Sequence, residues 1–455
     1  MKKSVILIFI FFIFFSVFQN GYAQQNRIKA GYKITIKLDN YKENLLFLVA
    51  YYGGEPYILD TAFSHKGVYT FAKKRVVLQS GIYSIQTASN QNVFDLIVDQ
   101  SRYFEIETAF ENPLHYKSIK KSEENIHFFE YQKGEVTQQD LTPYLETSPN
   151  SLLSKYVKAK HFSITKTFQK DTSLTHLNLS TKEKNQYLLT HFFDPIDLKD
   201  KRLFRTPLKI NIRYYFSELL SEEVLEEKEL FNIVNQFLER TIDTNIRPID
   251  LEIHFFYVKK LMQLYMSNIP QFDSLFVYLH DHYFIPEQDQ WGIFDASFNR
   301  VFSMVAERKR RTMPGRFIEP LIAYDSAKHA VSTEDVHSDY TIIWFWDPDC
   351  DHCITETPVL HDFYKQKHRS LNFEVIAVSV TEDYERWIKF IQENQLEWIN
   401  LSYAMGEPNY DFLDFFDLMT TPGIFLIDKD HKIIARQVSL DKIQNILESK
   451  TTTVQ

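Results

Sequence analysis

FWDPDCDHCITETP, residues 345–358, holds the only two cysteines of a 455-residue chain. A disulfide across so short a loop stabilises a fold by roughly 2 kcal/mol, against about 3 kcal/mol for a loop of fifteen residues. The pair therefore points to chemistry before it points to a staple. Its surroundings sharpen that reading. Residues 341–346, TIIWFW, read as a buried strand, and residues 350–368 follow with helical periodicity. A thiol at a helix N-terminus meets unpaired backbone N–H groups and the positive end of the dipole, and both stabilise thiolate. Cys350 is thus expected at the exposed mouth as the attacking sulfur. Cys353, one turn further in, is expected as the shielded sulfur that resolves a mixed disulfide. Cysteines three apart on a forming helix lie within bonding reach, so Cys350–Cys353 is the expected redox-active disulfide.

The charges nearby compete. His352 offers an imidazole that favours the Cys350 thiolate, while Asp347, Asp349 and Asp351 push its pKa upward. Exposed carboxylates are partly screened, so the thiol is expected below its free value of about 8.5. Glu356 shares a helix face with Cys353 and is a candidate for proton transfer, set against the plainer role of a solvent-facing acid.

Outward from the motif, residues 373–380 read as a strand, 382–394 as a helix, 398–403 as a short strand and 410–418 as a short helix. A hairpin at 423–427 and 432–437 and a helix at 440–450 complete an α/β layer fold with a mixed sheet, assigned to residues 315–455. Residues 114–312 carry apolar side chains at three- and four-residue steps, an all-helical domain whose aromatic stripes read as core. It closes on Glu307-Arg308-Lys309-Arg310-Arg311 before Met313-Pro314-Gly315, a basic last turn that complements the helix dipole and marks a boundary near 314. Residues 27–111 give six or seven short alternating runs separated by turn signals such as Gly53-Gly54 and Ser80-Gly81. They predict an antiparallel β sandwich or barrel.

The chain opens MKKSVILIFIFFIFFSVFQNGYAQQ. A basic start, an apolar run and Gly21-Tyr22-Ala23 before a cut at Gln24 predict a signal peptide over residues 1–23. The run is shorter than the ~20 residues of a spanning helix, so an uncleaved anchor is the minor reading. The expected location is the periplasm or outer cell envelope. A formal net charge of −9 argues against a nucleic-acid partner.

Trp346, four residues before Cys350, with the CxxC and the downstream Thr421-Pro422 pair, resembles the thioredoxin fold. Phe345-Trp346, Glu356-Thr357-Pro358, VIAVSV and TPGIFLIDKDHKIIA resemble its exported TlpA/ResA-type branch. YTIIWFWDPDCDHC and HFFDPIDLKDKRLFRTPL resemble proteins of Bacteroidetes that carry an uncharacterised helical domain upstream. The resemblance is strong over residues 317–450, weaker for the helical part and vague for the β part. It implies that Pro422 is cis and faces the disulfide, and that the Thr421 backbone pairs with an extended substrate segment. It also implies protein disulfides or dithiols of the envelope as substrates, a membrane electron donor and a reductase direction. The upstream domains are then left for partner choice, docking or dimer formation. One departure stands out: Trp344 sits where thioredoxin has a buried aspartate, so that proton relay is missing.

Other chemistries fit less well. A PxxxTxxC peroxidase motif fails, because Ile343 and Asp347 stand before Cys350 and Trp346 and Cys350 stand before Cys353. Cys350, His352 and Cys353 lack a fourth metal ligand at suitable spacing. No glycine-rich phosphate loop supports a nucleotide, and no cofactor is expected. The standing alternative is a ligand- or partner-binding protein whose C-terminal domain is redox-sensing or vestigial.

Overall fold

Seven runs between Tyr32 and Ala109 place their buried side chains on one sheet face or the other, and all seven are strands in the computed structural model. It describes residues 31–134, 146–164, 191–194, 196–210, 212–213, 215–216, 227–245, 251–266, 272–285, 296–406, 411–418 and 420–452. The signal-peptide segment 1–23 and parts of the region read as all-helical, among them 165–190, lie outside these residues. Contacts along the chain divide it into two compact units, Met1–Tyr215 and Phe216–Gln455.

In the first unit, β1 (Tyr32–Asp39), β4 (Val68–Lys73), β7 (Tyr103–Ala109) and β8 (Ser118–Lys120) form one sheet in the order β4-β1-β7-β8. β2 (Leu45–Tyr52), β3 (Glu55–Phe63), β5 (Gly81–Thr87) and β6 (Asn92–Val98) form a second, ordered β3-β2-β5-β6. Alternate residues such as Ile34, Ile36, Leu46, Leu48, Ile85 and Leu96 meet in one buried cluster. The expected wholly antiparallel arrangement is corrected at one place: β1 pairs with β7 in parallel. These strands lie far apart in sequence, so no hairpin turn dictates their relative direction. β8 also places a strand at the start of the region read as all-helical. Helix α1 (Glu123–Lys133) is tied to this unit by Asn125, which bonds both the N–H and the carbonyl of Ile97 at 2.9 and 2.8 Å. α2 (Leu152–Ile164) and α3 (Lys201–Phe204) follow.

The second unit begins with α4 (Glu227–Glu239), α5 (Glu252–Tyr265), α6 (Asp273–Leu279), a π-turn at His280–Phe284, and α7 (Ala296–Thr312). Then come β9 (Ile322–Tyr324), β10 (Ala330–Ser332), β11 (Tyr340–Trp346), α8 (Asp351–Leu371), β12 (Phe373–Ser379), α9 (Tyr384–Asn394) and β13 (Ile399–Ser402). α10 (Phe412–Phe415), β14 (Gly423–Asp428), β15 (Ile433–Arg436) and α11 (Leu440–Thr452) complete it. The strands form one mixed sheet, β10-β9-β13-β12-β11-β14-β15, with β11–β12 and β12–β13 parallel and the other pairs antiparallel. β9 and β10 carry only three residues each and escaped the sequence reading.

Alternation along β11 splits the core. Ile342, Trp344 and Trp346 join Leu360, Trp387 and Ile443 on the face covered by α8, α9 and α11. Ile343 and Phe345 join Phe412, Phe416 and Ile433 on the other. The segment read as a boundary is stitched to the sheet, since Gly315 N–H donates to the Ile433 carbonyl at 2.7 Å and Ile433 N–H to the Arg316 carbonyl at 2.9 Å. The basic run does more than complement a dipole. Lys309 is fully buried and bonds Asp273 at 2.6 Å. Asp273 also pairs with Arg436 of β15, which in turn bonds Thr312.

Candidate active site

Cys350 is the N-cap of α8, and its position follows from the turn before it. Asp347 accepts from the Asp349 N–H at 2.8 Å through its side chain and from the Cys350 N–H at 3.1 Å through its carbonyl. This Asx turn brings the chain round from β11 into the helix. The Cys350 sulfur then accepts the Cys353 N–H at 3.3 Å, where a serine or aspartate would cap other helices. Both cysteines are free thiols, Cys350 half-exposed and Cys353 fully buried.

Across a gap of 71 residues, the Thr421 carbonyl accepts from the Cys350 thiol at 3.2 Å, and the Thr421–Pro422 bond is cis. Thr421 and Pro422 are both half-buried, directly before β14. The structure therefore brings Cys350, Cys353, Thr421 and Pro422 together from two segments that the sequence keeps apart.

The two sulfurs differ in acidity. Burial opposes the Cys350 thiolate, but hydrogen bonds from the Cys353 and Thr421 side chains and from the backbone N–H groups of Cys353 and His352 outweigh it. The net shift is downward. Burial pushes the Cys353 thiol up to about 12, with the neighbouring Cys350 adding to the rise. One sulfur is prepared to ionise and the other to stay neutral.

Trp346 is fully buried beneath the motif, its ring 4.7 Å from that of Phe390. His352 is exposed on the first turn of α8 and Glu356 is half-buried one turn later. Two features escaped the sequence reading. Arg386, on α9, pairs with Asp349 and so offsets one of the carboxylates that oppose the thiolate. Asp349 and Arg386 stand 37 positions apart, and no local pattern joins them. Trp344, at the relay position, donates its indole N–H to the Thr357 hydroxyl at 3.2 Å, one turn after Cys353. The place of a buried acid is thus filled by a neutral, satisfied pair.

Residues 338–433 match the model of a thioredoxin-like family. That span contains the CxxC, the cis-proline and the four strands β11 to β14, so the C-terminal part of the chain is a thioredoxin-like domain. No curated protein matches the chain. Among solved structures, it is similar to a domain of possible thiol-disulfide isomerase from Cytophaga hutchinsonii, 29% identical over 31% of this chain and 95% of that one, with a TM-score of 0.29. A thioredoxin domain of a thiol-disulfide oxidoreductase from Bacteroides vulgatus is 26% identical over 30% and 96%, with a TM-score of 0.28. A thioredoxin-like protein from Bacteroides caccae is 15% identical over 60% and 95%, with a TM-score of 0.44.

Proposed function

We propose that the chain is a thiol–disulfide oxidoreductase of the cell envelope, acting as a reductase of protein disulfides through Cys350 and Cys353. One observation carries the reading: a half-exposed thiol of lowered pKa caps a helix, with a buried thiol of raised pKa one turn behind it. The Cys350 thiolate attacks one sulfur of a substrate disulfide, forming a mixed disulfide and releasing the other sulfur as thiolate. Cys353 then loses its proton and attacks the Cys350 sulfur. The Cys350–Cys353 disulfide forms, the second substrate thiolate leaves, and two electrons have passed to the substrate. Thr421 and Pro422 flank the attacked sulfur and are assigned to docking of the substrate backbone. Trp346 supports the loop from below, and His352 and Glu356 are assigned to tuning and proton transfer.

Return to the dithiol state requires a reducing partner, for which a membrane electron donor is the natural class. The TlpA/ResA-type motifs and the signal-peptide pattern read in residues 1–23 support the envelope assignment. Among the described residues, no helix is long and apolar enough to cross a membrane. The modules proposed from the sequence, with residues 315–455 carrying the chemistry and the upstream regions serving partner choice or dimerisation, accompany this reading.

The test is reduction of insulin disulfides by the full chain. Activity is expected in the native protein and none in Cys350→Ser, while Cys353→Ser traps mixed disulfides visible on non-reducing gels. Trapping by Cys350→Ser instead would reverse the two roles, and an inactive native protein would favour the binding-protein alternative.

A further inference from the structure

The first unit contains a cavity of about 140 Å³ that the redox chemistry does not use. Val76, Val77, Leu78 and Gln79 of the segment joining β4 to β5 line it, together with residues of the sheets. Tyr32, Tyr51, Tyr57 and Tyr83 are among its lining residues, and Lys73 and Arg205 are its cations. An apolar cavity of about 150 Å³ holds one benzene ring. The space is therefore that of a single six-membered ring, with tyrosines in its lining.

Charge selects what the ring carries. Lys73 is balanced by Asp60 at 3.3 Å, and Asp60 also accepts the Tyr32 hydroxyl at 2.7 Å. Tyr83 donates its hydroxyl to the Gln79 carbonyl at 2.6 Å. Arg205 has no such balance: among the described residues no carboxylate forms an ion pair with it, and its charge acts on the Tyr83 hydroxyl. Its place is fixed by the backbone. The Ile82 N–H donates to the Arg205 carbonyl at 2.9 Å, and the Gly53 N–H donates to the Phe204 carbonyl at 2.9 Å. Gly81 permits this approach, since a Cβ there would lie 2.6 Å from the Arg205 carbonyl oxygen.

We propose that this cavity binds a small aromatic carboxylate, with its ring among the tyrosines and its carboxylate on Arg205. The guanidinium fork matches a carboxylate in two parallel hydrogen bonds, and tyrosine rings in a lining suit a flat aromatic ring. The site is independent of the thiol chemistry and stands or falls apart from it.

The test titrates benzoate into the full chain by calorimetry, with benzyl alcohol and benzylamine as neutral and cationic controls of similar size. Saturable benzoate binding is expected, roughly ten-fold weaker in Arg205→Gln, which loses the charge-assisted pair. Val76 lies half-exposed on the cavity lining, so Val76→Glu adds a repelling charge without disturbing the core and is expected to weaken benzoate in the same way. Circular dichroism establishes that both variants fold. Equal binding of benzyl alcohol, unchanged affinity in both variants, or no saturable benzoate binding up to about 10 mM would each overturn the proposal.

Discussion

On one face of the C-terminal sheet, Cys353 lies fully buried behind a half-exposed Cys350. On the other, Arg436, Lys309 and Asp273 are buried together, with Asp417 3.8 Å from Arg436. Both faces bury ionisable groups, and they meet the cost differently. A thiol can enter the core neutral, and burial only raises its pKa. A guanidinium cannot shed its charge and must bring a carboxylate with it. The first arrangement keeps chemistry latent until a mixed disulfide forms. The second fastens α6 and α7 to β15 and leaves no chemistry exposed.

The largest effect is expected where that second arrangement is broken. Asp273→Asn removes the buried carboxylate that Lys309 and Arg436 share, and should cost about 3–5 kcal/mol, as for other buried pairs that lose one partner. Urea denaturation measures it, and Cys350 reactivity in the folded protein should be unchanged. A loss under about 1 kcal/mol would place the cluster with ordinary surface pairs. The same cluster bears on where the chain can be cut. A fragment starting at 315 lacks Asp273, Lys309 and Thr312, and is expected to melt below the full chain.

The two faces were unequally legible. A CxxC after a strand and before a helix is a local pattern, so the cysteines, their helix and the succession of strands and helices after them could be read directly. The β strands of the first unit were legible for the same reason, through their period of two. What escaped depends on long-range pairing. Asp273, Lys309 and Arg436 span 163 residues, and in sequence Lys309 is one of four cations in a run of five. Arg386 could not be joined to Asp349, nor β1 to β7 in parallel, because nothing near either partner in sequence encodes its mate. β9 and β10 are too short to show a period.

On the thiol face the expected effects are smaller. The His352 N–H favours the Cys350 thiolate, so removing it should matter more than removing the imidazole. Proline is tolerated in the first turn of a helix. His352→Pro is therefore expected to fold and to move the pH profile of Cys350 alkylation upward, while His352→Ala moves it less. The reverse order would return the imidazole to the leading role. Smallest of all is Arg386→Ala, which frees the Asp349 charge beside the thiol. Its profile should shift upward at low salt and merge with that of the native protein at high salt, because both groups are exposed. A shift that survives high salt would mean that Arg386 acts through the loop's shape.

The division of labour between the sulfurs is tested most directly by labelling the native dithiol with iodoacetamide across pH and locating the adducts by mass spectrometry. A lowered thiol pKa means more thiolate, and faster alkylation, at a given pH below the free-cysteine midpoint. The account predicts labelling at Cys350 alone, with a midpoint below that of free cysteine, and Cys353 protected until the protein is unfolded. Labelling of Cys353 first, or a Cys350 midpoint at or above that of free cysteine, would contradict it.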